Sequence, residues 1–222
     1  MLGFSEEMET VLDHYVDMII EESHRQNLIR FVDREEILAK HVQDIALPFF
    51  ANNIEFTGKG VDIGSGAGFP GIILKLCFPK ASLRLYESEK KKAAFLLRVV
   101  GQLDLTGCEV VAERIESAGR SESYDAVFSR AVAGLPTLLE YAAPLLEIGG
   151  KAYFFKGPKY LEEIEKSERA RRLLGWESPE ILPYSFVYRG ETYHHYLLVY
   201  RKGKKTPEKF PRRPGTAVRE PL

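Results

Sequence analysis

The chain has 222 residues, of which 45% are hydrophobic and 28% charged, and its formal net charge is −1. This length is sufficient to bury one α/β core without disulfides or bound metals. Cys77 and Cys108 lie in apolar runs without CxxC spacing, so we expect buried, reduced thiols, and neither a metal site nor a disulfide framework. The acidic N-terminus and the lack of a long uncharged apolar stretch predict neither a signal peptide nor a membrane span, which favours the cytoplasm.

The two ends of the chain carry opposite charge. Residues 1–58 contain twelve Asp or Glu and four Lys or Arg, a net charge of −8, whereas residues 201–222 contain eight basic and two acidic residues, a net charge of +6. A basic end on a near-neutral chain indicates contacts with phosphates, and a solvated tail explains it equally well. Because residues 203–222 are too polar to pack alone, we expect them to form a surface arm.

Hydrophobic periodicity divides the rest of the chain into two parts. Between Ser5 and Phe50 apolar residues recur at three- and four-residue spacings, which predicts a helical cap over residues 1–58. Residues 59–202 then alternate short apolar runs with amphipathic helices, the pattern of βαβ units and a parallel sheet. Two aromatic runs around Arg189-Gly190 predict a closing antiparallel hairpin. The predicted fold class is therefore α/β, with a seven-stranded, mostly parallel, Rossmann-like sheet as in class I methyltransferases.

A glycine-rich loop follows the first predicted strand. Gly64, Gly66 and Gly68 precede a helix, so the backbone can approach a nucleotide where a Cβ would clash. A dinucleotide fingerprint needs glycine at its sixth position, which is Phe69 here. The run from Asp62 to Gly68 instead matches the D-x-G-x-G-x-G pattern of S-adenosylmethionine (SAM) binding. The loop predicts a SAM site, with an ordinary tight βα turn as the alternative.

Acidic residues follow the next two predicted strands. Glu87 comes 23 residues after Gly64, where a carboxylate can accept both hydroxyl protons of an adenosine ribose. An exposed strand-end carboxylate is the alternative. After the third strand, Ala112 and Glu113 are predicted to lie beside the adenine.

Basic residues end the fourth and fifth predicted strands. Arg130 follows Ser129, and Lys156 precedes Gly157. In open α/β sheets these carboxyl ends line the ligand crevice, where a cation can meet the SAM carboxylate or a substrate phosphate. Surface charges without a role are the alternative.

The sequence also limits the chemistry of the methyl acceptor. The fourth strand continues as SRAVAGLP and lacks the Asn/Asp-Pro-Pro-aromatic loop common in enzymes that methylate exocyclic amines. Carbon-5 pyrimidine methylation needs a cysteine nucleophile, and neither cysteine is predicted near the SAM-facing strand ends. Guanine N7 already presents a lone pair, so in-line displacement requires alignment but no general base. The five histidines are interpreted as structural: His14, His24, His41, His194 and His195.

Several motifs together are similar to one family. They are NLIRFVDREEILAKHVQDI, VDIGSGAGFPGI, EKKKAAFLL, FSRAVAGLPTLLEYAAPLLEIGG, FKG and KTPEKFPRRPGT. The GxGxG element is shared across a superfamily, whereas GFPGI, SRAVA and PRRPGT are specific. With them the chain resembles, nearly end to end, the ribosomal RNA small subunit methyltransferase G family, also called glucose-inhibited division protein B. Ile29 and Ile45 depart from the family pattern, which usually has Thr and Ser there.

The resemblance implies methyl transfer from SAM to guanine N7 in 16S ribosomal RNA, either free or in the small ribosomal subunit. It implies no catalytic residue, and we interpret Arg130 and Lys156 as orienting groups in a monomeric enzyme. The implied cofactor positions are Gly64, Gly66, Gly68, Phe69, Glu87, Ser88, Glu89, Ala112, Glu113 and Arg130. The implied RNA-facing residues are Lys156, Lys204, Lys205, Arg212 and Arg213.

Two other functions remain open at this point. A small-molecule methyltransferase would require a closed apolar pocket beside Arg130, and an RNA-binding module could retain a relic SAM fold. Under the RNA methyltransferase hypothesis, the basic tail acts as a salt-sensitive clamp, so deletion of residues 204–222 should weaken RNA binding and flatten its salt dependence.

Overall fold

The structure is a computed structural model that describes residues 4–30, 33–120 and 123–222. Three short parts of the sequence predictions lie outside the described residues: residues 1–3 of the cap, Phe31 and Val32 of the NLIRFVDREE run, and Ser121 and Glu122 of the core. No helix in the described ranges combines the length and apolar composition needed to cross a membrane.

Eight α-helices and seven β-strands make up the regular structure of the described ranges. The helices are α1 Glu6–Ser23, α2 Arg34–Ile37, α3 Asp44–Ala51, α4 Gly71–Cys77, α5 Lys90–Gln102, α6 Leu135–Ala142, α7 Tyr160–Leu174 and α8 Thr216–Arg219. The strands are β1 Lys59–Ile63, β2 Ser82–Tyr86, β3 Cys108–Val111, β4 Tyr124–Arg130, β5 Leu146–Lys156, β6 Glu180–Tyr188 and β7 Glu191–Arg201. A π-helical segment, Leu38–Gln43, joins α2 to α3, and a 3-10 turn, Ile115–Ala118, follows β3.

All seven strands form one sheet in the order β3-β2-β1-β4-β5-β7-β6. Strands β1 to β5 are parallel, and β7 pairs antiparallel with both β5 and β6. Arg189 and Gly190 both have positive φ, as the two-residue turn between β6 and β7 requires. The predicted mostly parallel sheet and its closing hairpin are confirmed. The strand order reverses between β1 and β4, which makes this the crevice where ligands bind in such sheets.

The predicted helical cap packs directly on the glycine-rich loop. Leu12, Tyr15 and Val16 of α1 lie in the same buried apolar cluster as Ile72 of α4. The hydroxyl of Tyr15 donates a 2.7 Å hydrogen bond to the carbonyl oxygen of Ala67, inside the loop. A Cβ at residue 68 would lie only 2.5 Å from that hydroxyl, so the glycine there makes room for the cap.

Both cysteines are free and half-buried, in contrast to the full burial expected. Burial raises the pKa of Cys77 and of Cys108 to about 12, which keeps both thiols protonated and unreactive at neutral pH.

The expectation that residues 203–222 form a surface arm is wrong. Thr206, Phe210 and Ala217 are buried within the fold. The hydroxyl of Thr206 donates to the carbonyl oxygen of Ala143 at 2.8 Å, and that of Thr137 donates to the carbonyl oxygen of Ala217 at 2.8 Å. The polar run packs because the rest of the fold supplies apolar contacts and acceptors that it lacks by itself.

Arg212 attaches residues 203–222 to α6 through an ion pair. Its guanidinium forms a two-pronged pair with the carboxylate of Glu140, at 2.6 Å between Nη2 and Oε2, and the Glu140 side chain is only 1% exposed. The backbone N–H of Arg212 also donates to that carboxylate. The guanidinium predicted to face RNA therefore neutralises a buried carboxylate.

Candidate functional site

The predicted cofactor residues lie at one edge of the sheet. Since β1 to β5 are parallel, the segments that follow them meet at their shared carboxyl edge. The glycine-rich loop follows β1, Glu87 follows β2, Arg130 ends β4 and Lys156 ends β5. The structure therefore brings these four predicted features to the crevice between β1 and β4.

The loop adopts a conformation that suits glycine. Gly64, Gly66 and Gly68 have φ values of +69°, +58° and +108°, a region that side chains disfavour. A Cβ at residue 64 would lie 2.5 Å from Cγ2 of Val132, which leans over the loop from the end of β4. A Cβ at residue 66 would meet nothing closer than a carbonyl oxygen at 4.0 Å. The space above Gly66 is thus open to a ligand.

Asp62 supports the glycine-rich loop through a hydrogen bond to the backbone. Its Oδ2 atom accepts a 3.0 Å hydrogen bond from the backbone N–H of Gly71, at the start of α4. The side chain is completely buried. Burial, with the nearby Glu87 carboxylate, raises the pKa of Asp62 to about 7. The first residue of the sequence motif therefore supports the loop rather than facing a ligand.

Glu87 is held by the backbone in a fixed orientation. Its Oε2 accepts from the N–H of Gly66 at 2.9 Å, and its Oε1 accepts from the N–H of Glu89 at 2.7 Å. A carboxylate oxygen can accept a further hydrogen bond, so each oxygen retains capacity for a ribose hydroxyl. The carboxylate and the open space above Gly66 fit an adenosine.

The other predicted cofactor residues frame the same edge. Ser88 and Glu89 are exposed after β2, and Glu89 precedes the first residue of α5. Ala112 and Glu113 are exposed directly after β3. Phe69 is buried and stacks on the ring of His41 at a centroid distance of 4.7 Å. Phe69 therefore joins the loop to the cap.

Arg130 is bonded to the cap through all three of its guanidinium nitrogens. Nε donates to Oδ2 of Asp44 at 2.9 Å, and Nη2 donates to the carbonyl oxygen of Lys40 at 2.7 Å. Nη1 lies 2.8 Å from Nδ1 of His41. Lys40 and His41 belong to the π-helical segment, a rare geometry that often occurs at functional sites. This arrangement makes Arg130 a link between cap and sheet.

The network gives His41 and Asp44 unusual protonation. Burial, together with the charge of Arg130, lowers the pKa of His41 to about 4, so its ring is neutral at neutral pH and can accept from Arg130. Burial alone would raise the pKa of Asp44, but the hydrogen bond from His195 and the Arg130 charge hold it below its ordinary value. Asp44 is therefore a buried anion at neutral pH.

Sequence reasoning missed Asp44 and its hairpin partners as members of the site. Oδ1 of Asp44 accepts from the hydroxyl of Tyr184 at 2.8 Å and lies 2.5 Å from Nδ1 of His195. The interpretation of His41 and His195 as structural is consistent with these bonds, but both residues lie at the crevice. The His-x-x-Asp run in HVQDI was the available signal, whereas nothing local to β6 or β7 indicated their role.

A cleft of about 480 Å³ opens between the ends of β4 and β5. Its charged and polar lining consists of Asp44, Arg130, Lys156, Glu163 and His195. Nζ of Lys156 donates to Oε2 of Glu163 at 2.6 Å and to the carbonyl oxygen of Ala133 at 3.3 Å. The Lys156 side chain is only 9% exposed, so its ammonium is oriented by these two acceptors.

The other predicted RNA-facing residues lie near different ends of the parallel strands. Lys151 of β5 pairs with Arg201, so the exposed Lys204 and Lys205 follow β7 towards the amino ends of the parallel strands, away from the crevice. The chain then returns along α6, and the N–H of Gly215 donates to Glu116 in the turn after β3. The exposed Arg213 lies just before that contact. Lys204 and Lys205 therefore lie at a different end of the parallel strands from Arg213.

Comparison with known proteins places the chain in a family. Residues 8–184 match the family model described as rRNA small subunit methyltransferase G. Ribosomal RNA small subunit methyltransferase G of Carboxydothermus hydrogenoformans is 40% identical, over 100% of this chain and 94% of that protein. The protein of the same name from Thermotoga sp. (strain RQ2) is 39% identical, again over 100% and 94% of the two chains.

Solved structures support the fold alone. A Methanococcus maripaludis protein assigned as an S-adenosyl-L-methionine-dependent methyltransferase aligns with a TM-score of 0.57 and 18% identity, over 85% of this chain and 95% of that one. TYW2 of M. jannaschii, solved in complex with AdoMet, aligns with a TM-score of 0.56 and 14% identity, over 72% and 76%. This chain belongs to the rRNA small subunit methyltransferase G family and is a methyltransferase with the fold of SAM-dependent enzymes.

Proposed function

We propose that this protein transfers a methyl group from SAM to N7 of a guanine in 16S ribosomal RNA. The observation that carries the proposal is the arrangement at the carboxyl edge of the sheet. Gly66 and the oriented Glu87 form an open adenosine site on β1 and β2, and a separate polar cleft lies beside it at the ends of β4 and β5. One site suits the donor and the other the acceptor.

The chain's own residues hold the two substrates. Bound SAM supplies an electrophilic methyl group on a positively charged sulfur. The glycine loop and Glu87 position the adenosine, while Arg130 keeps the cap closed over the end of β4. The N7 lone pair of guanine attacks directly, so orientation of donor and acceptor accounts for the rate and no general base is needed.

The polarity of the cleft favours a nucleic-acid base over an apolar small molecule. A small-molecule methyltransferase was expected to have a closed apolar pocket beside Arg130. Instead, the lining there includes four charged side chains, those of Asp44, Arg130, Lys156 and Glu163. Polar groups in these numbers suit a base edge and its phosphates. The ordered loop and the ribose carboxylate argue against a relic fold that only binds RNA.

Radiolabelled methyl transfer tests the proposal. The full chain is incubated with tritiated SAM and, separately, deproteinised 16S RNA, small ribosomal subunits and a mixture of cellular metabolites. We expect label in RNA, released by nuclease digestion as N7-methylguanosine. Label confined to metabolites would establish the small-molecule alternative, and no label in any fraction would exclude the enzyme. Size-exclusion chromatography with light scattering tests the accompanying expectation of a monomer, and fractionation of cells tests the cytoplasmic location.

A further inference from the structure

The cleft at the ends of β4 and β5 lies on the acceptor side of the site. In the sheet, β1 separates β2, which carries Glu87, from β4, which carries Arg130. A ligand with its ribose on Glu87 would therefore extend over β1 towards Val132, which lines the cleft and whose Cγ2 would lie 2.5 Å from a Cβ at residue 64. The residues that line this cleft are therefore the ones placed to contact a methyl acceptor.

Two carboxylates line the cleft, and they differ in their capacity for a ligand. Asp44 is 2% exposed, and its oxygens already accept from Arg130, Tyr184 and His195. Glu163 is 32% exposed, and its Oε2 accepts from Nζ of Lys156 and from the N–H of Leu135. Within the described ranges, no hydrogen bond reaches Oε1 of Glu163. Glu163 thus offers an oriented acceptor to the cleft.

Lys156 provides a donor directly beside this acceptor. An ammonium group has three N–H bonds, of which Glu163 and the carbonyl oxygen of Ala133 take two. The remaining N–H can donate to a ligand. The pair therefore presents one donor and one acceptor side by side, held together at 2.6 Å.

This donor and acceptor pattern matches one edge of guanine. The Watson–Crick edge of guanine carries the O6 acceptor next to the N1–H and N2–H donors, and enzymes that extrude a base commonly read this edge. Adenine presents the opposite pattern, an N6–H donor next to the N1 acceptor. In the same position, its N6–H donor would face the Lys156 donor and its N1 acceptor would face the Glu163 acceptor. We propose that Glu163 and Lys156 select the target base as guanine, with Glu163 accepting from N1–H and N2–H and Lys156 donating to O6.

The same contacts also leave N7 accessible to the methyl donor, and this step rests on the function proposed above. When the bond from N7 to the methyl group forms and the bond from sulfur to carbon breaks, the positive charge moves from sulfur to the purine ring. N1 and N2 lie on the six-membered ring side of guanine and N7 lies on the five-membered ring, so a Watson–Crick edge held by Glu163 leaves N7 free to face the donor. Glu163 and Lys156 form an ion pair, so their contribution to this step is to orient the purine rather than to add net charge.

The test compares guanosine with inosine at the methylated position, which is first mapped in RNA modified by the wild-type enzyme. Inosine lacks only the N2 amino group. RNA carrying either nucleoside at that position is assembled by ligation and assayed with the wild-type chain, Glu163→Gln and Glu162→Gln. Glu162 is the exposed neighbour of Glu163 in the first turn of α7 and supplies a matched control.

We expect the wild type and Glu162→Gln to prefer guanosine over inosine by about tenfold or more in kcat/KM, the value of a hydrogen bond to a charged group. In Glu163→Gln the preference should fall at least fivefold and kcat on guanosine should also decrease. The preference is the ratio of the kcat/KM values of two RNAs on the same protein. A smaller folded fraction lowers both values equally and leaves the ratio unchanged. Unfolding midpoints and SAM affinity are measured alongside, because Glu163 also accepts from the N–H of Leu135.

Two results would overturn the proposal: a wild-type enzyme that does not distinguish the two nucleosides, or a Glu163→Gln variant that keeps the full preference with both rates reduced. Failure of the proposed function has a different signature, since the wild type would then place no methyl group on guanosine N7 in any RNA.

Discussion

Asp44, the first residue of α3, accepts a 2.9 Å hydrogen bond from Nε of Arg130, the last residue of β4. The two residues are separated by 86 positions in the chain and join the acidic cap to the sheet beside the cofactor crevice. Because Asp44 is almost fully buried, this bond is a requirement of the folded state. The cap is therefore packed on the sheet through a buried ion pair.

Loss of the Arg130 guanidinium should undock the cap. In Arg130→Met the buried Asp44 anion keeps only Tyr184 and His195, and an uncompensated buried charge costs about 3 to 5 kcal/mol. Urea unfolding measures this loss. Arg172→Met is the control, since the Arg172 side chain is 74% exposed and its pair with Glu168 is worth less than about 1 kcal/mol. Equal losses in the two variants would show that the network does not hold the cap.

Gly66 should be required for the cofactor and not for the fold. Gly66→Ala places a Cβ in the open space above the loop, so we expect SAM affinity measured by calorimetry to fall at least tenfold. The positive φ should cost only about 1 to 2 kcal/mol of stability. Gly190→Ala has a similar φ of +79° and equally open surroundings in the β6–β7 turn, so it should lose the same stability and keep SAM affinity. Unchanged SAM affinity in Gly66→Ala would show that SAM does not bind above Gly66.

His41 should lower the unfolding free energy of the protein as the pH falls. Its folded pKa is about 4 and its ordinary value is 6.5, so between these pH values the unfolded chain binds a proton that the folded chain refuses. Its contribution to the unfolding free energy is complete above pH 6.5 and is lost as the pH falls to about 4. The size of the loss is on the order of 3 kcal/mol.

The comparison with His41→Gln isolates this effect, because a glutamine oxygen can still accept from Arg130. Asp62, with a raised pKa of about 7, gives the opposite slope in the same pH window, and subtracting the two unfolding profiles removes it. We expect the unfolding free energy of the wild type, minus that of His41→Gln, to decrease as the pH falls from 6.5 to 4. Parallel profiles would mean that His41 titrates normally.

Deletion of residues 204–222 is no longer a clean test of RNA binding. It would remove the buried Phe210 and Ala217 and leave the Glu140 carboxylate unpaired in the interior. We therefore expect the deletion to unfold the protein or to destabilise it by several kcal/mol. Thermal unfolding of the purified deletion checks this, and a native-like midpoint would contradict the packed tail.

Charge removal at the exposed positions separates RNA binding from folding. The triple variant Lys204→Gln, Lys205→Gln, Arg213→Gln leaves every buried contact of the tail in place, so its unfolding midpoint should match the wild type. If these groups contact phosphates, the negative slope of log affinity against log salt should become shallower by about 0.7 to 0.9 for each phosphate that the variant no longer binds. An unchanged slope would remove these three residues from the RNA-binding surface.

The sequence predicted the sheet because its signals are local. Alternation of apolar runs and amphipathic helices sets a parallel sheet, and Arg189-Gly190 between two β-branched runs sets the hairpin. Sheet parallelism then predicted that residues following β1, β2, β4 and β5 would meet at one edge. These predictions required no knowledge of which distant side chains touch.

The tail and the Asp44 network could not be predicted in the same way. The tail resembles a polar arm because its few apolar anchors, such as Phe210, are isolated in sequence and their partners come from other elements. Asp44 lies 151 positions before His195 and 140 before Tyr184, so no window of the sequence contains the set. Residues that act through such contacts become visible only when the cap, sheet and hairpin are assembled.

A nucleotide-resolution map of N7-methylguanine in 16S RNA, from cells with and without this gene, identifies the methyl acceptor directly. Complementation uses either the wild-type chain or Gly66→Ala. We predict that one N7-methylguanine disappears without the gene, returns with the wild-type chain and stays absent with Gly66→Ala. A map that is identical with and without the gene, or the disappearance of a methyl group from another atom of another base, would contradict the assignment.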